Sequence, residues 1–478
     1  MFDVAIIGAG VSGAAIARRL SSYRLSVALL ERCADVSFGV SKANSGIIHA
    51  GFHHAPTSLK ARLEIAGNRA FDVLQAELGF PFRRAGIIVA AFSWEEMKVV
   101  DHLYTQGVEN GAPGLEVVGR DRILALEPTL SEDVVGGLFA PSGGIVEPYR
   151  FVIALVESAV ANGVQLRLLW EAAAARWDGQ AWTVRSASGD SVEARWVVNA
   201  AGLRADTVSS LFGAESFTIV ARKGEEFILD RGARGLPSHV IFPVPTRNSK
   251  GVLVIPTVEG TVMLGPTAEE DPDKDDTSTT PENLDRVFQL ATRMVPRISK
   301  RDIITAFAGL RPTLPGDDFF IRLSACAPHF VQVAGIQSPG LTASPAIAEY
   351  VKDLLKGAGL TLTEKTDWNP RISPREHTRD HAPWELDRLV EKDPAFAHMV
   401  CRCETVSEAE VVEAIRKGHT TLDGIKYYTR AGMGRCQGGF CTYRVMQLVA
   451  RETGMPLERI TKHGPGSEIV KGRLGSGT

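Results

Sequence analysis

The sequence predicts three folded parts: a three-layer α/β domain, an α+β domain with an antiparallel sheet, and a small, mainly helical domain near the C-terminus. Residues 2–31 read as strand, glycine turn, helix and strand. Segments of alternating apolar and polar residues follow from residue 85, and four of the six cysteines fall within residues 401–441. A chain of 478 residues exceeds the usual size of one hydrophobic core, so several domains are expected.

The composition is that of an ordinary globular protein. A net charge of -3 with both signs interspersed provides no basic face for nucleic acid and no acidic tail. The N-terminus lacks the pattern of a secretory signal, and no apolar run approaches the roughly 20 residues that span a bilayer. Six cysteines are too few for a disulfide scaffold. We therefore expect a cytoplasmic protein that contacts a membrane only peripherally, through a partner.

The first part begins with a βαβ unit, which requires a parallel sheet. Later apolar strands at residues 196–200 and 330–334 are predicted to join the same sheet. The nucleotide-binding domain is therefore discontinuous. We expect it at residues 1–75, 146–205 and 330–360, with a substrate domain at 76–145 and 206–329, a linker at 361–397, a cysteine-bearing helical domain at 398–456 and a tail at 457–478.

Alternating segments predict the second sheet. Residues 85–91, 225–229, 251–256 and 262–265 alternate in a way that is typical of an antiparallel sheet with one solvated face. We expect residues 269–280 to form a charged surface loop. Thr280 and Pro281 then begin a helix that runs to Met294.

A dinucleotide-binding fingerprint follows the first strand. Glycines at Gly8, Gly10 and Gly13 allow a tight turn and close backbone approach, and the helix N-terminus attracts a pyrophosphate. Glu31 ends the second strand, where it can accept hydrogen bonds from ribose hydroxyls. The pattern predicts a Rossmann-like domain. Its acidic residue excludes NADP but leaves FAD and NAD open.

Residues 41–51 are too rich in glycine and small polar residues for a core helix. With residues 198–202 and 335–342, they resemble the D-amino-acid-oxidase-like family of FAD-dependent enzymes, especially type II glycerol-3-phosphate oxidases and L-2-hydroxyglutarate dehydrogenases. The likeness covers roughly residues 1–360. It implies an FAD-binding domain whose cofactor contacts are Gly8, Gly10, Ser12, Gly13, Glu31, Arg32, Ser41, Asn44, Ser45, Gly46, Ala201, Gly202, Gly335, Gly340, Leu341 and Thr342.

The same resemblance implies the substrate chemistry. It places His49 over the flavin as a base for a hydroxyl proton, because imidazole titrates near neutral pH. It places Lys250 and Arg311 against an anionic group of the substrate, and Ser338 beside the substrate or the flavin. His53 and His54 are expected to be surface or access residues. For a dicarboxylate substrate, the second cation would be Arg247 or Arg222.

The four clustered cysteines predict a metal centre. Cys401 and Cys403 form one tight pair, and Cys436 and Cys441 form another. Four thiolates suit zinc or an iron-sulfur cluster, but a pair with one intervening residue departs from the zinc pattern. The arrangement resembles the bacterioferritin-associated-ferredoxin-like [2Fe-2S] domain, which implies Cys441 in the first turn of the last helix. Cys33 is predicted to be a buried structural residue.

The resemblances together imply an FAD-dependent dehydrogenase that oxidises glycerol 3-phosphate to dihydroxyacetone phosphate. Its electrons would leave through the cluster to an electron-acceptor protein or partner subunit. L-2-Hydroxyglutarate dehydrogenase and an amine or imino-acid dehydrogenase, in which His49 would be dispensable, remain alternatives. A redox relay or sensor without an organic substrate is a third, although Lys250 and Arg311 speak against it.

Overall fold

The computed structural model describes residues 1–246 and 251–472. Lys250 and Arg247, predicted as substrate-binding cations, lie outside the described residues. In chain order the described strands are β1 Phe2–Ile7, β2 Val27–Leu30, β3 Ile47–Ile48, β4 Phe82–Arg83, β5 Ile87–Ala91, β6 Glu116–Gly119, β7 Gly136–Ala140, β8 Gly144–Val146, β9 Gln165–Arg167, β10 Ala172–Trp177, β11 Trp182–Ser186, β12 Ser191–Asn199, β13 Val220–Leu229, β14 Val240–Pro243, β15 Leu253–Pro256, β16 Val262–Gly265, β17 Glu269–Asp271, β18 Ile303–Thr313, β19 Phe320–Leu323, β20 Phe330–Ala334, β21 Met399–Cys401 and β22 Val406–Ser407.

The α-helices of the same residues are α1 Val11–Leu20, α2 Leu59–Leu78, α3 Trp94–Asn110, α4 Arg120–Leu126, α5 Pro148–Ala161, α6 Ala205–Leu211, α7 Pro281–Met294, α8 Gly340–Gly357, α9 Pro383–Lys392, α10 Glu408–Arg416, α11 Leu422–Thr429 and α12 Thr442–Thr453. Among the described residues, no helix combines the length and apolar character needed to cross a membrane.

The first sheet has eight strands and contains the predicted βαβ unit. Its central strands β20, β12, β1, β2 and β9 run parallel, and β10, β11 and β19 add antiparallel partners. Helices α1, α5 and α8 pack together on one face. On the other face, Trp170, Trp182 and Phe212 cover the sheet. Both faces are therefore buried, as a parallel sheet requires. The three-layer α/β fold is confirmed.

The second sheet has nine strands, all paired antiparallel except β5 with β14, which run parallel. The expectation of one solvated face is wrong. Ile87 and Val89 pack with α3 on one side, whereas Ile88 and Ala90 face the side covered by α4 and α7. Because helices cover both faces of the sheet, neither face is exposed to solvent, although the alternating pattern indicated that one would be.

Local signals correctly predicted the start of helix α7, and three other regions differ from expectation. Helix α7 begins after Thr280, whose side chain accepts a hydrogen bond from the Asn283 amide. The expected surface loop contains strand β17, which pairs with β13. The expected linker contains helix α9. Strand β19 falls within the expected substrate domain but pairs with β20 of the first sheet, and the domain limits otherwise stay a prediction.

The C-terminal helices α10, α11 and α12 pack against one another beside the short sheet of β21 and β22. Ser407 and Glu410 form a capping box at the start of α10. Buried apolar side chains of these helices, among them Val411 and Val445, belong to the same cluster as the core of the first sheet. The cysteine-bearing part is therefore packed onto the α/β part.

Candidate active site and cysteine centre

A cavity of about 1150 Å³ is lined by residues of both large sheets. Most of the residues predicted to bind FAD line it, namely Gly8, Gly10, Ser12, Glu31, Arg32, Ser41, Asn44, Ser45, Gly46, Ala201, Gly202, Gly340 and Leu341. Three of the predicted residues, Gly13, Gly335 and Thr342, do not line it. A side chain at Gly13 would place its Cβ 1.9 Å from the Gly8 carbonyl oxygen, so this glycine instead allows α1 to pack closely on the turn.

The glycine turn is tied to its neighbours by hydrogen bonds. Gly8 has φ +104°, and a Cβ there would lie 2.5 Å from the Ala200 carbonyl oxygen. The Ala9 amide donates to Glu31 Oε2 at 2.7 Å, and the Val11 amide donates to Ser41 Oγ at 2.9 Å. The carboxylate and the N-terminus of α1 thus border one cavity. This arrangement fits the ribose and pyrophosphate of FAD.

His49 follows β3 and is buried at the wall of the cavity. Its Nε2 lies 3.1 Å from Ser338 Oγ, and its amide donates to Thr342 Oγ1 at 2.9 Å. The Asn68 side chain donates to its carbonyl oxygen at 2.7 Å. Thr342 therefore holds His49 rather than contacting the cavity. The structure brings His49 and Ser338 together from positions 289 residues apart.

Arg311 is carried by β18 and is also on the cavity wall. Its Nη2 donates to the Thr267 carbonyl oxygen at 3.2 Å. The guanidinium lies over Gly224, where a Cβ would come within 2.3 Å of Nη2. Burial lowers the pKa of Arg311, but from a value so high that the group stays charged. A partly buried cation on the cavity wall is therefore available to a ligand anion.

Glu226, which was not predicted as a site residue, lines the cavity from β13 with only 3% of its surface exposed. Its Oε1 accepts a hydrogen bond from Ser45 Oγ at 2.7 Å. Burial raises the pKa of Glu226 to about 7, against the lowering effects of Ser45 and of the Arg311 charge. Nothing in an isolated strand sequence distinguishes it from Glu225, whose side chain binds Thr280 and Asn283 instead.

Other charged and aromatic groups complete the cavity wall. Arg222 lies opposite Arg311 in the strand register, 3.8 Å from a Glu270 oxygen. Lys60 is buried and binds Asp317 at 3.0 Å. His53 and His54 also line the cavity, and the His53 ring packs 5.3 Å from that of Phe242. His53 and His54 were expected to be either surface residues or substrate-access residues. Their position on the cavity wall is compatible with substrate access, which stays a prediction.

The cysteines lie on two loops of the C-terminal part. Cys401 ends β21 and is buried, whereas Cys403 is exposed. Cys441 is the residue before α12, one position outside the first helical turn where it was expected. A Cβ at Gly434 would lie 2.3 Å from Cys403 Cβ, so this glycine allows the loops to meet.

The thiols are arranged in two hydrogen-bonded pairs, Cys401 with Cys441 and Cys403 with Cys436. Within the described residues, no three His, Cys, Asp or Glu side chains converge on a single metal ion. Two pairs of thiols suit two irons better than one zinc. The hydrogen bond from Cys441, with backbone amides including that of Gly432, lowers the pKa of Cys401 to about 6. These donors favour the thiolate form, and the residues fit a [2Fe-2S] cluster.

A buried ionic network joins this part to the rest of the chain. Arg430 lies between α11 and the Cys436 loop and contacts Glu147, Glu404 at 2.8 Å and Glu259 at 3.6 Å. Arg379 also contacts Glu259. Burial by itself would raise the pKa of Glu259, but the hydrogen bond from Arg379 and the nearby guanidinium charges lower it to about 2.

Comparison with known families is consistent with both sites. Residues 3–354 match the family model of FAD dependent oxidoreductases. Residues 399–451 match the model of the BFD-like [2Fe-2S] binding domain. The expectations of an FAD site and of a [2Fe-2S] site are thereby confirmed, whereas the roles of individual residues stay predictions.

Individual relatives cover most of the chain. A glycerol 3-phosphate dehydrogenase of Caloramator mitchellensis is 43% identical, and the match covers 99% of this chain and 98% of the relative. The structure of a dithionite-reduced L-alpha-glycerophosphate oxidase from Mycoplasma pneumoniae with FAD bound is 30% identical. It superposes with a TM-score of 0.75 and covers 78% of this chain and 99% of its own. A human L-2-hydroxyglutarate dehydrogenase is 29% identical, over 56% of this chain and 61% of the relative.

Proposed function

This chain belongs to the family of FAD dependent oxidoreductases and carries a BFD-like [2Fe-2S] binding domain, and from that premise we propose that it is a glycerol 3-phosphate dehydrogenase. The reaction takes a hydride from C2 and a proton from its hydroxyl and yields dihydroxyacetone phosphate. The observation that carries the proposal is one cavity in which a base, His49, and a partly buried cation, Arg311, share walls with a nucleotide-binding turn. The name and coverage of the 43% identical relative support the substrate.

The protein residues have separate tasks. His49 takes the hydroxyl proton, and Ser338, whose Oγ lies 3.1 Å from Nε2, orients the imidazole ring. Arg311 pairs with the phosphate, because a planar guanidinium can bind two of its oxygens. Lys250 adds a second positive charge. Bound FAD supplies the hydride acceptor and the cluster supplies a one-electron outlet. The predicted residues that line the cavity would hold FAD, whereas Gly13, Gly335 and Thr342 lie outside its lining. The four paired cysteines would hold the cluster.

Anaerobic flavin bleaching tests the substrate. We expect glycerol 3-phosphate to bleach the flavin of the purified enzyme faster than L-2-hydroxyglutarate or L-proline at equal concentration. A faster reaction with L-2-hydroxyglutarate or L-proline would identify the corresponding alternative. If none of the three compounds bleached the flavin, the remaining hypothesis would be a redox relay or sensor without an organic substrate.

Two variants test the division of tasks. His49→Ala is expected to slow flavin reduction by roughly 100-fold or more, the usual scale of general-base catalysis, with a smaller effect on half-saturation. Arg311→Lys keeps the charge but loses the bidentate geometry, and is expected to raise KM by an amount worth about 1.5 to 3 kcal/mol. Both should retain FAD absorbance. A normal rate and KM for Arg311→Lys would reject the anion site.

The electrons are proposed to leave at the exposed face of the cysteine loops. Cys403 is exposed, and Phe440 and Tyr443 flank Cys441 with exposed fractions of 90% and 62%. Exposed aromatic groups of this kind are typical of protein-binding surfaces. We therefore assign this face to an electron-acceptor protein or partner subunit, and place the enzyme in the cytoplasm or at the membrane periphery through that partner.

Electron paramagnetic resonance after anaerobic addition of glycerol 3-phosphate tests the route, since a reduced [2Fe-2S] signal should appear. Turnover with ferredoxin, flavodoxin and cytochrome c as trial acceptors tests the surface. Phe440→Ala should slow turnover with at least one of them while turnover with ferricyanide is unchanged. Trp94→Ala, which removes an aromatic side chain that is 71% exposed on α3, is the matched control. Equal protein-acceptor rates in both variants would reject the assignment.

A further inference from the structure

Glu226 is a buried carboxylic acid on the wall of the substrate cavity, and the proposed reaction leaves it without a task. Strand β13 places its side chain on the same face as Gly224 and Arg222, which also line the cavity. Strand β18 supplies Arg311 to that face. Glu226 therefore lies among groups assigned to the substrate rather than in the apolar core of the sheet.

Of the two oxygens of Glu226, one is engaged by another described residue. Oε1 accepts the hydrogen bond from Ser45, whereas Oε2 is buried and has no hydrogen-bond partner among the described residues. Within residues 1–246 and 251–472, no cation comes within ion-pair distance of Glu226, and Arg311 binds the Thr267 carbonyl instead. A buried carboxyl oxygen without a partner carries a large desolvation cost. Such a group is retained where a ligand supplies the missing hydrogen bond.

Glu225 shows what a purely structural glutamate looks like on the same strand. It is as deeply buried, but its two oxygens accept hydrogen bonds from the Thr280 amide and the Asn283 side chain. These partners join β13 to the start of α7. The contrast between Glu225 and Glu226 indicates that the Glu226 carboxyl lacks one hydrogen bond until a ligand supplies it.

Building on the proposed function, we propose that Glu226 is a specificity-determining residue that accepts a hydrogen bond from the terminal hydroxyl of a hydroxyalkyl phosphate while Arg311 pairs with the phosphate. A carboxylate in place of that hydroxyl would face another acid and offer no hydrogen to it. The residue thus favours glycerol 3-phosphate over 2-hydroxyglutarate. A cavity that binds a substrate hydroxyl with a buried polar group discriminates strongly against analogues that lack it.

Ligands that cannot be oxidised test this role without relying on turnover. 3-Hydroxypropyl phosphate keeps the phosphate and the terminal hydroxyl, propyl phosphate lacks that hydroxyl, and glutarate replaces both ends with carboxylates. Their dissociation constants can be measured from changes in flavin absorbance of the FAD-loaded enzyme. We expect the parent enzyme to bind 3-hydroxypropyl phosphate about 10-fold to 100-fold more tightly than propyl phosphate.

Two variants and one control decide the outcome. Glu226→Leu should reduce that preference to about threefold or less, and Glu226→Gln, which removes the charge and keeps the shape, should bind glutarate about 10-fold more tightly than the parent. Glu225→Gln should leave both measurements unchanged. An undiminished hydroxyl preference in Glu226→Leu, or unchanged glutarate binding in Glu226→Gln, overturns the proposal.

If Glu226→Leu does not take up FAD, glutarate binding by Glu226→Gln decides whether the proposal holds. Failure of the proposed function has a different signature, because glycerol 3-phosphate would then fail to bleach the flavin of the parent enzyme. If it does bleach the parent flavin and the ligand preferences do not respond to Glu226, only the role of this residue is rejected.

Discussion

Two regions of the molecule bury carboxylates, and the pKa of the carboxylate is lowered in one region and raised in the other. At the contact between the cysteine-bearing part and the rest of the chain, Glu147, Glu259 and Glu404 surround Arg430, and the pKa of Glu259 is lowered to about 2. In the cavity, burial raises the pKa of Glu226 to about 7. The degree of burial is similar, so the distance of the cations makes the difference. Arg379 and Arg430 lie within ion-pair distance of Glu259, whereas among the described residues Glu226 has only the more distant charge of Arg311.

The difference distinguishes a carboxylate that stabilises the fold from one that is available to bind a ligand. A buried acid with cationic partners stabilises a contact and has no capacity left for a ligand. A buried acid with an open oxygen costs stability and is therefore expected where a ligand binds. Four measurements test whether cationic partners account for the different behaviour of the two sites.

The largest effect is expected at the cysteine centre itself. Cys436→Ser removes one thiolate of a four-thiolate set, so the variant should lose nearly all of the two irons expected per chain for one binuclear cluster. FAD should remain bound, because its cavity contains no residue of the cysteine loops. Iron analysis and flavin absorbance of the same sample check this. Loss of FAD together with iron would show that the two regions are not independent.

The next effect is expected at the ionic contact. Among the described residues, Arg430→Met leaves the buried Glu147 without a cation and takes one of several cations from Glu259 and Glu404, which Arg379 and Arg231 also contact. It should lower the free energy of unfolding by about 3 to 5 kcal/mol. Thermal unfolding of the FAD-loaded and cluster-loaded protein, followed by circular dichroism, measures the loss. A melting temperature equal to that of the parent would mean that the glutamates are not dependent on Arg430.

Glu226→Gln should stabilise the ligand-free protein, in a pH-dependent way. The pKa of Glu226 is raised from about 4.5 to about 7, so the folded chain retains a proton that the unfolded chain releases. Stability therefore falls as the pH rises from 4.5 to 7, and the variant escapes this loss. We expect a gain of roughly 2 to 3 kcal/mol at pH 8 and little gain near pH 4.5. A gain that is independent of pH would argue against titration of this group.

The smallest effect is expected for an exposed ion pair beside the same contact. Arg435 binds Asp230 at 2.6 Å, but 69% of its side chain is exposed. Arg435→Met should change the free energy of unfolding by no more than about 1 kcal/mol, because solvent screens such pairs. It is the matched control for Arg430→Met in the same thermal experiment. If the two variants lost equal stability, burial would not be what distinguishes the contacts.

The sequence predicted well those features that depend on residues close together in the chain. The glycine turn and Glu31 belong to one βαβ unit, so spacing alone carries their geometry. The cysteines were found as two short motifs, but their thiols pair across the motifs, Cys401 with Cys441 and Cys403 with Cys436, which spacing does not predict. The start of α7 at Thr280 was predicted for the same reason, because a cap involves neighbouring residues. The second sheet was predicted as strands but not as a layer buried on both faces, since its helices come from elsewhere in the chain.

The two cofactor-binding motifs and the classes of the domains that carry them can therefore be predicted from the sequence. The packing of distant segments places Glu226 on the cavity and Glu225 away from it, brings Ser338 to His49, and surrounds Arg430 with glutamates. The physical reason is that burial and pairing set the ionisation of a side chain. Both depend on which strands and loops, far apart in the chain, pack against it.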